Sequence, residues 1–156
     1  MIKKRERMKR PGFIFPIILL VFLSACSASQ SQVLEQNRSL WESQAIQHYR
    51  FDLDISGNFP WYAMMPVTVE VQDGAVVSMV ASNGGDITPY LVTFLQNGTV
   101  ENLFDTIDSA LSGWVYRHEV QYDATYGFPV SIGIERSRFM TDDATGYYVT
   151  GFEILP

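Results

Sequence analysis

The run Val67-Thr68-Val69-Glu70-Val71-Gln72-Asp73-Gly74-Ala75-Val76-Val77-Ser78-Met79-Val80 constrains the fold more than any other part of this 156-residue chain. Its valines alternate with other residues, which is the two-residue period of a strand. Asp73-Gly74 lies between the two runs, and both residues tolerate the positive φ of a tight primed turn. The segment therefore predicts an antiparallel hairpin with Asp73-Gly74 as its loop. In the simplest register Val71 faces Val76 and Val67 faces Val80.

The flanking segments extend the pattern. Tyr49, Phe51, Leu53 and Ile55 alternate with Arg50, Asp52, Asp54 and Ser56, which predicts a half-buried strand. Val115 to Tyr122, Phe128 to Ile134 and Tyr147 to Ile154 read as three more strands, separated by the turn signals Asp123-Ala124-Thr125-Tyr126-Gly127 and Asp142-Asp143-Ala144-Thr145-Gly146. Short turns between consecutive strands require antiparallel pairing. Helical spacing appears at Val100, Leu103, Phe104, Ile107, Ala110 and Leu111, with Thr99 as N-cap and Gly113 as stop. A second helix is expected from Asn37 to about Tyr49, with Leu40, Trp41, Ala45, His48 and Tyr49 near one face. The expected fold is α+β, a curved and mostly antiparallel sheet of about six strands with two helices packed on one face.

The N-terminus carries an address. Six basic residues between Lys3 and Arg10 precede an apolar run from Phe13 to Leu23, and Leu23-Ser24-Ala25-Cys26 follows. The run is shorter than the roughly 20 residues a transmembrane helix needs, and the order of its parts is that of an export signal. The tetrapeptide resembles the motif read by the lipoprotein-processing peptidase. That resemblance implies cleavage between Ala25 and Cys26 and acylation of Cys26, which would place the protein in the cell envelope as a membrane-anchored lipoprotein facing the periplasm or the exterior. The expected division is residues 1–25 as signal peptide, 26–36 as acylated cysteine and flexible tether, and 37–156 as one globular domain.

Processing changes the charge. It removes six of the eleven basic residues and one of the seventeen acidic ones, leaving five arginines, no lysine and sixteen carboxylates. The formal charge falls from −6 to −11. Such a surface repels nucleic acid and anionic lipid headgroups, so nucleic acid is not an expected partner. Cys26 is the chain's single cysteine, which rules out an intramolecular disulfide.

Catalytic signals are sparse. His48 and His118 lack zinc-ligand spacing, and Asp142-Asp143-Ala144-Thr145-Gly146 lacks the alternating acids of a calcium loop. Neither a metal nor a cofactor is expected. Asp52, Asp54 and Asp123 are the carboxylates that an envelope hydrolase would use, while Asp123 with Tyr126, Gly127, Phe128 and Pro129 also has the residue types of a structural turn. The unusual loop is Asn58-Phe59-Pro60-Trp61-Tyr62-Ala63-Met64-Met65-Pro66. Phe59, Trp61, Tyr62, Met64 and Met65 are the candidate contacts for an envelope partner, because aromatic and methionine side chains favour interfaces. The alternative is that this loop folds back and caps the core.

Trp41 with Tyr49-Arg50-Phe51, Val71-Gln72-Asp73-Gly74, Leu103-Phe104-Asp105-Thr106-Ile107, and Val120-Gln121-Tyr122-Asp123 through Tyr126-Gly127-Phe128-Pro129 together resemble a family of small bacterial secreted proteins and lipoproteins with a domain of unknown function. The resemblance transfers no catalytic residues. The expected function is a non-enzymatic, membrane-tethered binding or interaction domain. A carboxylate hydrolase and an inhibitor of a secreted enzyme are the alternatives.

Overall fold

The computed structural model describes residues 29–140 and 142–156. Cys26, Ala25 and the rest of the expected signal lie outside the described residues. Six strands form one antiparallel, unclosed sheet. They are β1 (His48–Ser56), β2 (Val67–Gln72), β3 (Ala75–Ala81), β4 (Arg117–Tyr122), β5 (Pro129–Glu135) and β6 (Ala144–Ile154). Their spatial order is β3-β2-β1-β6-β5-β4, so two three-strand meanders join along β1 and β6. Helices α1 (Gln30–Ser43), α2 (Leu91–Leu95) and α3 (Val100–Ser112) complete the α+β fold.

Alternation in β1 does what the sequence predicts. Tyr49, Phe51, Leu53 and Ile55 are buried, and across the ladder they meet Val67, Val69 and Val71 of β2. The Asp73-Gly74 turn also forms, with Gln72 opposite Ala75 and Val71 opposite Val76. Beyond that pair the simple register fails: Glu70 faces Ser78 and Val67 faces Ala81, not Val80. Val77 is an extra residue, a bulge that bends the edge strand and moves the pairing by one. Val80 is therefore turned toward solvent and Ala81 inward.

A second bulge interrupts the central ladder, where Arg50 faces Glu153 but Asp52 faces Thr150. Gly151 takes φ +60° there, a left-handed conformation that costs glycine little. It resets the inward parity of β6, so Val149 and then Phe152 both reach the core. Phe152 packs on Phe128 at 4.5 Å between ring centroids and on Trp41 at 5.9 Å.

The N-terminal helix departs most from expectation. It begins at Gln30, seven residues before Asn37, so much of the expected flexible tether is helix. Ser29 caps it with a reciprocal box: its hydroxyl accepts from the Gln32 amide at 3.2 Å, and the Gln32 side chain accepts from the Ser29 amide at 2.9 Å. The helix also ends earlier. Ala45 adopts φ +51°, which breaks it, and His48 and Tyr49 open β1 instead of lying on a helix face. The true inner stripe is Leu34, Arg38 and Trp41, with four- and three-residue steps.

The second major helix, α3, follows the prediction closely. The Thr99 hydroxyl accepts from the Asn102 amide at 3.1 Å, Gly113 ends the helix, and Val100, Leu103, Phe104, Ile107 and Ala110 are buried. Glu101 in its first turn fastens three elements. One carboxylate oxygen accepts from the Trp41 indole at 2.8 Å and the other from the Tyr49 hydroxyl at 3.4 Å. The Tyr49 hydroxyl in turn accepts from the Val100 amide at 3.1 Å. Burial, the main cause, pushes the Tyr49 phenol well above its ordinary pKa, so the hydroxyl keeps its proton and can donate. The short helix α2 was not expected. It lies in a stretch of asparagine and glycine signals, and its Phe94 is buried.

Candidate functional site

The sheet has two distinct ends. Strand β5 finishes at Glu135, which pairs with Ala144 at the start of β6 and with Arg117 at the start of β4. Ser56 at the end of β1 pairs with Gly146. The β1–β2 loop, the β5–β6 loop, and the α3–β4 link therefore share one end. The start of α1 is there too, because the Gln30 side chain contacts His118 of β4. The Asp73-Gly74 turn, the β4–β5 turn and the C-terminus occupy the other end.

The aromatic β1–β2 loop mostly folds back on this first end. Phe59 and Trp61 stack at 4.5 Å, and Trp61 packs on Tyr90 at 5.3 Å and edge-on to Phe94 at 5.9 Å. Phe59, Trp61, Met64 and Met65 all pack against the core. The Met65 sulfur lies 3.3 Å from the Ile55 amide. Tyr62 is the exception, 72% exposed. Of five candidate contacts, four cap the core and one remains available.

Larger exposed apolar groups sit elsewhere on the same end. Trp114 is fully exposed, Phe139 is 93% exposed and Met140 63%, with Tyr116 half-exposed beside them. Trp114 and Tyr116 lie on the α3–β4 link, and Phe139 and Met140 on the β5–β6 loop. The sequence reading did not single these out. Their signal was the run Arg136-Ser137-Arg138-Phe139-Met140, apolar residues in a loop with no strand or helix period to bury them.

Between α3 and the ends of β5 and β6 lies a cleft of about 510 Å³, within the usual size of small-molecule sites. Asn102, Asp105, Thr106 and Ser109 of α3 form one wall at helical spacing. Arg136 and Tyr147 lie across from them, and Trp114 marks the outer edge. Thr106 is committed, since its single hydroxyl proton is shared between Asn97 Oδ1 and the Asn102 carbonyl. Asp105 pairs with Arg38 at 3.2 Å. Burial raises the Tyr147 phenol above its ordinary pKa while the nearby Arg136 opposes that shift, leaving a neutral donor beside a cation.

Of the three carboxylates considered for hydrolysis, two share one strand face and the third lies apart. Asp52 and Asp54 lie on β1, on the face away from its buried residues, and Asp52 accepts from the Thr68 hydroxyl at 2.6 Å. Asp123 lies in the β4–β5 turn, across β6 and β5 from them. Its carboxylate accepts from the Thr125 and Tyr126 amides at 2.8 and 2.7 Å, the backbone role the turn residues suggested. His48 is bracketed by Glu70 and the Pro156 carbonyl, each at 2.9 Å. Among the described residues, no group of three histidine, cysteine or acidic side chains is placed to hold a metal.

A model of the family of unknown function DUF6174 matches residues 33–154. The chain belongs to this family. No curated protein and no solved structure matches it. The matched segment starts inside α1 and runs to the last residue of β6, so the family unit is the whole sheet with its helices.

Proposed function

We propose that the chain is an envelope lipoprotein, acylated at Cys26, whose domain works at the membrane surface as a non-enzymatic binding module. The address rests on Leu23-Ser24-Ala25-Cys26 following a basic head and an apolar run. Among the described residues no helix is long and apolar enough to cross a membrane.

The cleft carries the binding proposal. Its lining supplies carboxamides, hydroxyls and one guanidinium, a set suited to hydrogen-bonding a polar ligand. Asp105 is the one carboxylate among those lining residues, and it already pairs with Arg38. Glycoside hydrolysis uses two carboxyl groups, so this cleft favours binding over that chemistry.

A photoreactive residue at Ser109, inside the cleft, tests the reading in intact cells, with the same residue at Asp73 as control on the opposite end. A covalent adduct from position 109 and none from position 73 is expected. Equal labelling from both positions, or none from 109, overturns the assignment of the cleft.

A further inference from the structure

We propose that the end bearing Trp114, Tyr116, Phe139 and Met140 lies directly against an anionic lipid bilayer, so that the domain is held by a protein–membrane contact as well as by its acyl anchor. The inference rests on the acylation of Cys26 proposed above, and it names the lipid surface as the occupant of that end.

Chain length supplies the first argument. Two residues separate Cys26 from Ser29, the cap of α1, and the three Cα steps between them span at most ~11 Å. The first residue of α1 contacts His118, only two residues beyond Tyr116 and four beyond Trp114. Leu111, in the last turn of α3, lines the same small hollow as Gln30 and Val33. An acylated Cys26 would therefore hold this end, and not the Asp73-Gly74 end, within reach of the headgroups.

Charge supplies the second argument. Residues 26–156 contain five arginines and no lysine. Arg38, Arg50 and Arg117 each pair with a carboxylate. Among the described residues Arg136 and Arg138 form no ion pair, and both lie in the β5–β6 loop beside Phe139. The carboxylate oxygens of Asp143, in the same loop, are turned out of solvent, which leaves Asp142 as the exposed acid there. The two arginines without an ion pair thus offset the two aspartates of their loop, and this near-neutral stretch of a strongly acidic domain carries Phe139, one of its most exposed aromatic side chains.

That combination is the chemistry of interfacial binding. Indole and phenol rings favour the headgroup layer, phenylalanine and methionine bury apolar area at the acyl boundary, and arginine meets anionic headgroups. The acidic remainder is repelled by the same surface, which fixes the orientation.

The test uses the full chain purified from membranes and reconstituted in vesicles of equal parts phosphatidylethanolamine and phosphatidylglycerol, with or without brominated acyl chains that quench tryptophan. Bromolipid is expected to quench wild-type emission, and Trp114→Phe is expected to remove most of that quenching. The double substitution Phe139→Ser with Met140→Ser should reduce quenching in the chain that keeps Trp114. The docking is overturned if the acylated protein is not quenched by bromolipid, or if Trp114→Phe leaves the quenching unchanged. The mass of the purified N-terminus separates two failures: an unacylated Cys26 overturns the anchor and the docking with it, whereas an acylated chain with Trp114 open to aqueous acrylamide overturns the docking alone.

Discussion

Replacing Tyr49 with phenylalanine tests how α3 is held against the sheet, and therefore how one wall of the cleft is positioned. The ring stays, so its packing against Trp41 at 5.3 Å and Phe51 at 6.0 Å is kept. What disappears is the hydroxyl that accepts from the Val100 amide and donates toward Glu101. Val100 is the first residue of α3, where the backbone amide has no partner within the helix. It is also fully buried, so water does not replace the lost acceptor. A buried amide left without a partner costs about 1–3 kcal/mol. The 3.4 Å bond to Glu101 is long and adds little. The expected loss is therefore about 2 kcal/mol, which at a urea slope of roughly 1.5–2 kcal/mol/M lowers the unfolding midpoint by about 1 M. Urea titration followed by far-UV circular dichroism measures it. A loss under about 0.5 kcal/mol would refute the reasoning, because the Val100 amide would then have found another partner without strain.

Two further outcomes follow from local geometry. Gly127 has φ +83°, and a Cβ there would lie 2.6 Å from the Asn37 carbonyl of α1, so Gly127→Ala should cost at least the ~1–2 kcal/mol of left-handed strain and separate the turn from α1; thermal unfolding measures the loss, and an unchanged midpoint contradicts the contact. The Glu70 carboxylate, then the Pro156 carbonyl, raises the His48 pKa, so the imidazolium's contribution to stability is complete below the unfolded value near 6.5 and is lost as pH rises through the higher folded value; NMR titration should show Glu70→Gln lowering the His48 pKa.

The elements that were legible in the sequence are those specified by neighbouring residues. Strand β1 is written in alternation, the β2–β3 turn in Asp73-Gly74, and α3 in Thr99, its apolar stripe and Gly113. The α1 start was also written locally, since Ser29 and Gln32 have capping-box spacing and Leu34 and Trp41 stand two turns apart, but the polar composition of the surrounding residues masked it. The bulges at Val77 and Gly151 depend on which residue a partner strand presents, and that is not a local property. The same limit applies to the site. Tyr62 and its neighbours stood out because an apolar loop is unusual, yet four of the five cap the core once Tyr90, just before α2, and Phe94 within it become partners. Trp114 and Phe139 looked ordinary one by one. Their meaning comes from the topology, which brings the α3–β4 link, the β5–β6 loop and the first turn of α1 to one end.

The central claim is that this domain is fastened by lipid at Cys26. The mass of the mature N-terminal peptide, from protein extracted from membranes, tests it most directly. The account predicts a chain beginning at Cys26 and carrying acyl groups, and a Cys26→Ser chain that is neither processed nor acylated there. An unmodified Cys26, whether preceded by residues 1–25 or released by cleavage at another bond, would contradict it.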